Sequence, residues 1–314
     1  MTLGLQNTYA KKDKQLLIFL FVHGRSMIGI TLALLSGAVA GLAVVLVRKK
    51  SDETNFLNIS LMVTLIGNIV LWPLAIVFTN LRTISIEGVL LFALAGALAP
   101  GIGRLLYYKG MQTVGASVNA SVFAIHPMFS SILAVLLLGE TLSPANWLGI
   151  TSIIIGVIFI QTSSKNDVNH KRNWGKSLFL PVLATLTIAV AQIIRKNGLN
   201  IYNEPLLGAA VGYAFSLSLY LLLLSISETW HRSFFPKRDF RLFWKAGLGI
   251  TLSMILSFYA VSYEEVSIVT PLLAVEPLFV VFFAYLYLKE LEQISYKLVL
   301  SVILTVSGVA LVGI

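Results

Sequence analysis

The sequence predicts an all-α membrane protein of ten transmembrane helices, built as two inverted five-helix repeats. Three observations carry that prediction. Hydrophobic residues make up 57% of the 314-residue chain and charged residues 12%, against about 25% charged in soluble proteins. With a mean hydropathy of +0.86, such a chain lacks the charge to cover a water-facing surface. Ten apolar stretches follow one another, each near the ~20 residues that cross a ~30 Å hydrocarbon core. Finally, a pattern over residues 107–140 recurs 150 positions later.

The predicted spans are Met27–Val47, Phe56–Phe78, Ile86–Tyr108, Ser117–Leu138, Trp147–Gln161, Ser177–Ile194, Leu206–Ser225, Phe243–Tyr263, Ser267–Leu288 and Leu298–Gly313. They must be helices, because the bilayer offers backbone amides no other partner. The fifth is short, which predicts little tilt. Before Met27, Lys11, Lys12 and Lys14 precede a run too short to span. Residues 1–26 therefore read as a tail, either an interfacial segment or an extension upstream of a true start at Met27. Residues 163–176 read as the linker between a first repeat at 27–162 and a second at 177–314. The stretch Trp230–Gly247 mixes aromatic and basic residues and reads as an interfacial segment.

The repeat rests on landmarks. Tyr107-Tyr108, Gly115-Ala116-Ser117, His126-Pro127 and Leu138-Gly139-Glu140 are answered by Phe258-Tyr259, Glu265-Val266-Ser267, Glu276-Pro277 and Leu288-Lys289-Glu290. Five crossings per copy invert the second copy, so function is expected where the copies meet. Pro127 should free the carbonyl of Phe123, and Pro277 that of Leu273. Glu140 and Glu290 read as helix-closing residues at turns.

Tandem motifs on the fourth and ninth spans resemble those of the EamA family in the drug/metabolite transporter superfamily, over nearly the whole chain from Met27. Lys289 departs from the glycine usual there. The resemblance implies a ten-helix secondary transporter for small organic metabolites such as amino acids, often an exporter, with a cavity lined by helices 1, 3, 4, 6, 8 and 9. It implies both termini inside. The charge pattern points the other way: the odd connections hold 16 lysines and arginines, the tail and even connections 7, which by the positive-inside rule places the termini outside.

Charged groups within spans are kept off lipid and usually paired. Arg104 follows Ala99-Pro100-Gly101-Ile102-Gly103, a sequence that predicts a break at Pro100. It is a candidate for binding a carboxylate or phosphate. His126 and Glu276 share one repeat position, expected near the pseudo-two-fold axis, and are the proton-coupling candidates. Asn119, Phe123, His126 and Ser130 form one helical stripe, and Thr185, Ile188, Gln192 and Arg195 another. The predicted substrate-binding set is Arg104, Tyr107, Tyr108, Asn119, His126, Gln192, Tyr259 and Glu276, with helix breaks at Pro100, Pro127 and Pro277.

Other functions fit less well. A membrane-embedded enzyme needs a nucleophile with a base, or a metal cluster. The chain has no cysteine, no HExxH or GxSxG, and no aspartate between Asp52 and Asp167. No catalytic residue, cofactor or metal site is therefore expected. No basic stripe on a soluble domain points to nucleic acid. A flippase for a lipid or lipid-linked sugar would share the scaffold but open its cavity sideways. The expected partners are a small-molecule substrate and the bilayer, with the protein a monomer or homodimer.

Overall fold

The computed structural model describes residues 26–47, 49–50, 56–114, 119, 122–163, 178–226, 236–288 and 296–312. Among the described residues there is no strand. The helices are α1 (Ser26–Val47), α2 (Phe56–Phe78), α3 (Ile86–Gly96), α4 (Gly103–Val114), α5 (His126–Leu138) and α6 (Pro144–Ser163). After the linker come α7 (Phe179–Ile201), α8 (Pro205–Ile226), α9 (Pro236–Tyr263), α10 (Val266–Leu273), α11 (Glu276–Leu288) and α12 (Tyr296–Val312). Among the described residues, seven helical stretches are long and apolar enough to cross a membrane, and three shorter apolar helices stand where spans four, five and ten are predicted.

Local chemistry fixes many boundaries. Pro144, Pro205 and Pro236 each open a helix, where the missing N–H has no intrahelical bond to lose. Ser85 caps α3 by accepting from the Gly88 amide at 3.2 Å. Gly139 stops α5 in a left-handed conformation, φ 71°, which lacks the usual penalty because glycine has no Cβ.

Several boundaries differ from those predicted. Helix α7 runs on to Ile201 and carries Arg195 and Lys196 inside it. Arg104 likewise lies within α4. These three cations are not loop charges and do not bear on topology. Helix α9 starts at Pro236, so most of the stretch expected as an interfacial segment is the first part of a long helix. The fifth span has 20 residues, longer than the predicted stretch.

Small residues let the helices approach closely. A Cβ on Gly149 of α6 would meet Val312 Cγ2 of α12 at 2.7 Å. A Cβ on Gly96 of α3 would collide with the backbone of Gly212 on α8. One on Gly41 of α1 would meet Phe279 Cβ of α11 at 2.7 Å. Such contacts replace the hydrophobic drive that lipid does not supply between helices.

One end of the bundle gathers contacts between sequence-distant termini. Gly29 near the start of α1 abuts Glu264 after α9. Tyr202 after α7 packs on Gly88 of α3 and donates to the Asn80 carbonyl at 3.3 Å. Asn146 at the start of α6 donates to the Val312 carbonyl at the end of α12, at 3.3 Å.

Candidate functional site

The third span breaks where Pro100 predicts. Ala99 leaves helical geometry (φ −143°, ψ 118°) in a turn over Ala97–Ile102 that separates α3 from α4. Helix α8 takes up the displaced carbonyls. Ser216 Oγ donates to Gly96 O at 2.7 Å, and Tyr220 Oη donates to Pro100 O at 2.7 Å. Gly212, Ser216 and Tyr220 lie four residues apart, so one face of α8 tracks the break.

Beside this break lies a cavity of about 10 Å³, lined among others by Pro100, Arg195, Tyr213, Met254 and Phe258. That is roughly room for one water. Arg195 is 5% exposed. Its guanidinium stacks 4.3 Å from the Phe258 ring centroid, makes a long contact to Ser257 Oγ at 3.4 Å, and leaves Nε unpartnered. The Tyr213 phenol is 1% exposed and lies within electrostatic reach of Arg195 and Arg104. Among the described residues no carboxylate pairs with Arg195; the neutral phenol of Tyr213 stands beside it. A cation at hydrocarbon depth costs about 2.5–3.5 kcal/mol on insertion scales. A desolvated cation–π contact returns on the order of 2 kcal/mol. The remainder favours an anion.

The duplicated motif breaks its helix twice in the same way. Ile125 N donates to Val122 O at 3.2 Å and Met128 N to Ile125 O at 3.0 Å; 150 residues on, Val275 N donates to Leu272 O at 3.4 Å and Leu278 N to Val275 O at 2.9 Å. The carbonyls that the prolines release fare differently. Phe123 O accepts from His126 Nδ1 at 3.0 Å. Leu273 O faces Gly37 of α1, 3.6 Å from where a Cβ would stand. Among the described residues no hydrogen bond joins His126 to Glu276. The imidazole serves its own helix, and the charged group acting on Glu276 is Arg104. With Nδ1 donating to a carbonyl, the neutral ring carries its lone pair on Nε2.

The other predicted residues are spread along this seam. Arg104 is half-buried on α4. Tyr107 meets Phe123 edge-on at 4.8 Å, and Phe123 lies 4.9 Å from the His126 ring. Asn119 is fully buried with both amide atoms unpartnered, and its oxygen abuts Gly110 of α4. Gln192 is buried with Oε1 unpartnered. Tyr259 is half-buried and lies within electrostatic reach of Tyr263 and Glu204. The Tyr108 side chain lies outside the described residues. Pro127 is buried and Pro277 half-buried at their breaks. Each buried polar atom without a partner costs about 1–3 kcal/mol, so this lining is poorly matched to a permanently dry interior. Tyr213 carries no signal in the sequence; the signal for Arg195 is its place on the Thr185–Gln192 stripe.

Glu140 is not a turn residue facing a loop cation. Its buried carboxylate reaches across to α10 and accepts from Val266 N at 3.0 Å, Ser267 N at 2.9 Å and Ser267 Oγ at 2.6 Å. It thereby caps a helix of the other repeat motif. Lys196 Nζ, within electrostatic reach of Glu140, donates to Val261 O at 2.7 Å and Glu264 O at 2.8 Å, closing α9. Glu290, the repeat partner of Glu140, lies outside the described residues.

Apolar helices of this number and length define a multi-pass integral membrane protein. The chain belongs to the EamA-like transporter family, whose sequence profile matches residues 27–162 and again 175–314. It is similar to an uncharacterized transporter of Clostridium kluyveri, 28% identical over 153 residues that cover 48% of this chain and 49% of the relative. It is also similar to the uncharacterized transporter YwfM of Bacillus subtilis, 32% identical over 72 residues, 23% of this chain and 24% of that one. The chain thus spans half or less of the length of these relatives. A crystal structure of a protein 16% identical matches with a TM-score of 0.71, covering 92% of this chain and 95% of the other; at that identity the likeness shows the fold.

Proposed function

We propose that this protein is a secondary active transporter for a small organic metabolite bearing an acidic group, an amino acid or a compound of similar size, moved outward by alternating access. The observation that carries the reading is the buried Arg195 guanidinium, without a carboxylate partner among the described residues and set beside Tyr213. A substrate carboxylate entering this pocket would supply the missing anion. Arg104 adds a second cation on the same seam, and Asn119 and Gln192 offer polar atoms in need of partners.

Ten crossings in two inverted repeats suit the contacts. Starts of α1, α3, α6 and α10 meet ends of α9, α7, α12 and α5 at one end of the bundle, as alternating crossings require. The 13-residue helices α5 and α11 begin 150 residues apart after identical breaks. The repeats at 27–162 and 177–314 would rock about the seam, and the pocket, too small for any metabolite, would widen. Proton coupling would run through His126 at Nε2 and through Glu276 beside Arg104.

The test is transport in proteoliposomes loaded with single amino acids and related acids. Efflux of at least one acidic solute, faster when an inward proton gradient is imposed, is expected. Rates equal to protein-free liposomes across the panel would overturn the reading. Unchanged pH dependence in the variant His126→Ala with Glu276→Gln would remove the proton route alone.

A further inference from the structure

A second site lies away from this seam, where the start of α9 passes the first half of α2. A groove of about 700 Å³ opens there, lined by Met62, Leu65, Lys237, Phe240, Arg241 and Trp244. The four residues from α9 fall at i, i+3, i+4 and i+7, a single helix face. Lys237 and Arg241 are exposed and Phe240 and Trp244 are about two-fifths exposed. The acid nearest in sequence does not oppose them. Asp239 is fully buried, accepting from Asn58 Nδ2 at 3.3 Å and from Arg238 at 3.1 Å. Among the described residues, the charge presented to the groove is therefore positive. Because α9 enters the apolar layer from Lys237 onward, the two cations stand at headgroup level and the apolar floor lies below them.

We infer that this groove binds one anionic phospholipid, its phosphate held by Arg241 and Lys237 and an acyl chain laid over Leu65, Phe240 and Trp244. Guanidinium suits a phosphate by two parallel hydrogen bonds, and the ammonium adds a point charge. A zwitterionic lipid carries its own ammonium and gains less from the same pair. The site is independent of the transport pocket, so it stands whether or not the solute is an acid.

Native mass spectrometry of the full chain in detergent tests it, with added dioleoyl phosphatidylglycerol or dioleoyl phosphatidylcholine. The protein should retain one phosphatidylglycerol in preference to phosphatidylcholine. Lys237→Gln with Arg241→Gln should lower that retention on the order of tenfold, whereas Lys49→Gln with Lys50→Gln, after α1, should not. Leu65→Trp, which fills the groove but keeps both charges, should also lower it. Equal retention of the two lipids, or an equal loss on removing Lys49 and Lys50, would reduce the effect to general surface charge and overturn the site. Full retention in Leu65→Trp would do the same, and displacement by millimolar glycerol phosphate would assign the cations to a free phosphate.

Discussion

Arg195 is a buried charge with no carboxylate partner among the described residues, and its surroundings set what its loss should do. Stacking on Phe258 and a 3.4 Å contact to Ser257 hold the guanidinium in place without neutralising it. Removing an unpaired buried cation should therefore not destabilise the fold, and Arg195→Gln is expected to leave the unfolding temperature unchanged or raised. The same change removes a charge-assisted hydrogen bond to an acidic solute, worth about 1.5–3 kcal/mol. KM should rise by a factor of ten or more. Concentration dependence of transport reads the second effect and thermal unfolding the first. An unchanged KM would leave Arg195 without the anion role. His126 makes a different prediction. Its ring partners the Phe123 carbonyl that Pro127 strips of its usual donor. His126→Ala should cost about 1 kcal/mol. In a Pro127→Ala background residue 127 regains an N–H that can reach that carbonyl, so the cost of His126→Ala should vanish. A double-mutant cycle measures this coupling, and additive losses would contradict it.

Among the elements, α5 and α10 are joined by the carboxylate of Glu140 and by Ser131 Oγ donating to Ser267 O at 3.2 Å. Glu140 supplies acceptors to two otherwise orphaned amides and one hydroxyl at the start of α10. Glu140→Ala leaves those donors buried and should destabilise by about 2–4 kcal/mol, with Glu140→Gln losing less because one acceptor remains. Chemical denaturation monitored in detergent would show the order. Glu265, just outside the membrane-spanning helices, caps the same turn in extended conformation. Burial, then the neighbouring charges of Glu140 and Glu264, push its carboxyl above the usual range, with the Lys196 ammonium opposing. A carboxyl raised in the folded state favours folding while protonated. Its contribution is full below the ordinary carboxylate range and is lost as pH rises through the raised value. Unfolding temperature followed over that window should fall more steeply for the native chain than for Glu265→Gln. Equal slopes would mean that Glu265 is as solvated folded as unfolded. These elements also mark how far the sequence could be read. Composition, spacing and the two prolines make the spans and breaks legible, because hydrocarbon imposes helices and proline removes a fixed hydrogen bond. The end of α7 and the start of α9 are not legible, since Lys196, Lys237 and Arg241 look like loop residues until burial or an interface is known. Neither is the Glu140 cap, whose partners lie 126 and 127 residues away.

For the whole molecule the decisive property is whether the seam opens alternately, and the absence of cysteine from the chain makes that measurable without background. Met254 lines the arginine pocket and is half-buried. Met254→Cys places a lone thiol there. At the end where α5 meets α10, Glu140 ties helices from the two halves together, and Lys196 ties α7 to α9 at the same level. A membrane-impermeant thiol reagent added from that side should react slowly while the clamp holds. Glu140→Ala removes three hydrogen bonds from the closed form and none from a form open at that end, so it shifts the population toward opening. One charge-assisted bond, about 1.5–3 kcal/mol, already changes a two-state ratio by a factor of ten or more. Labelling of Met254→Cys from the clamp side should accelerate accordingly in the Glu140→Ala background, and a transported acidic solute should slow it by occupying the pocket. A rate unaffected by Glu140→Ala would mean that the clamp only braces the fold and that access to Arg195 is controlled elsewhere on the seam.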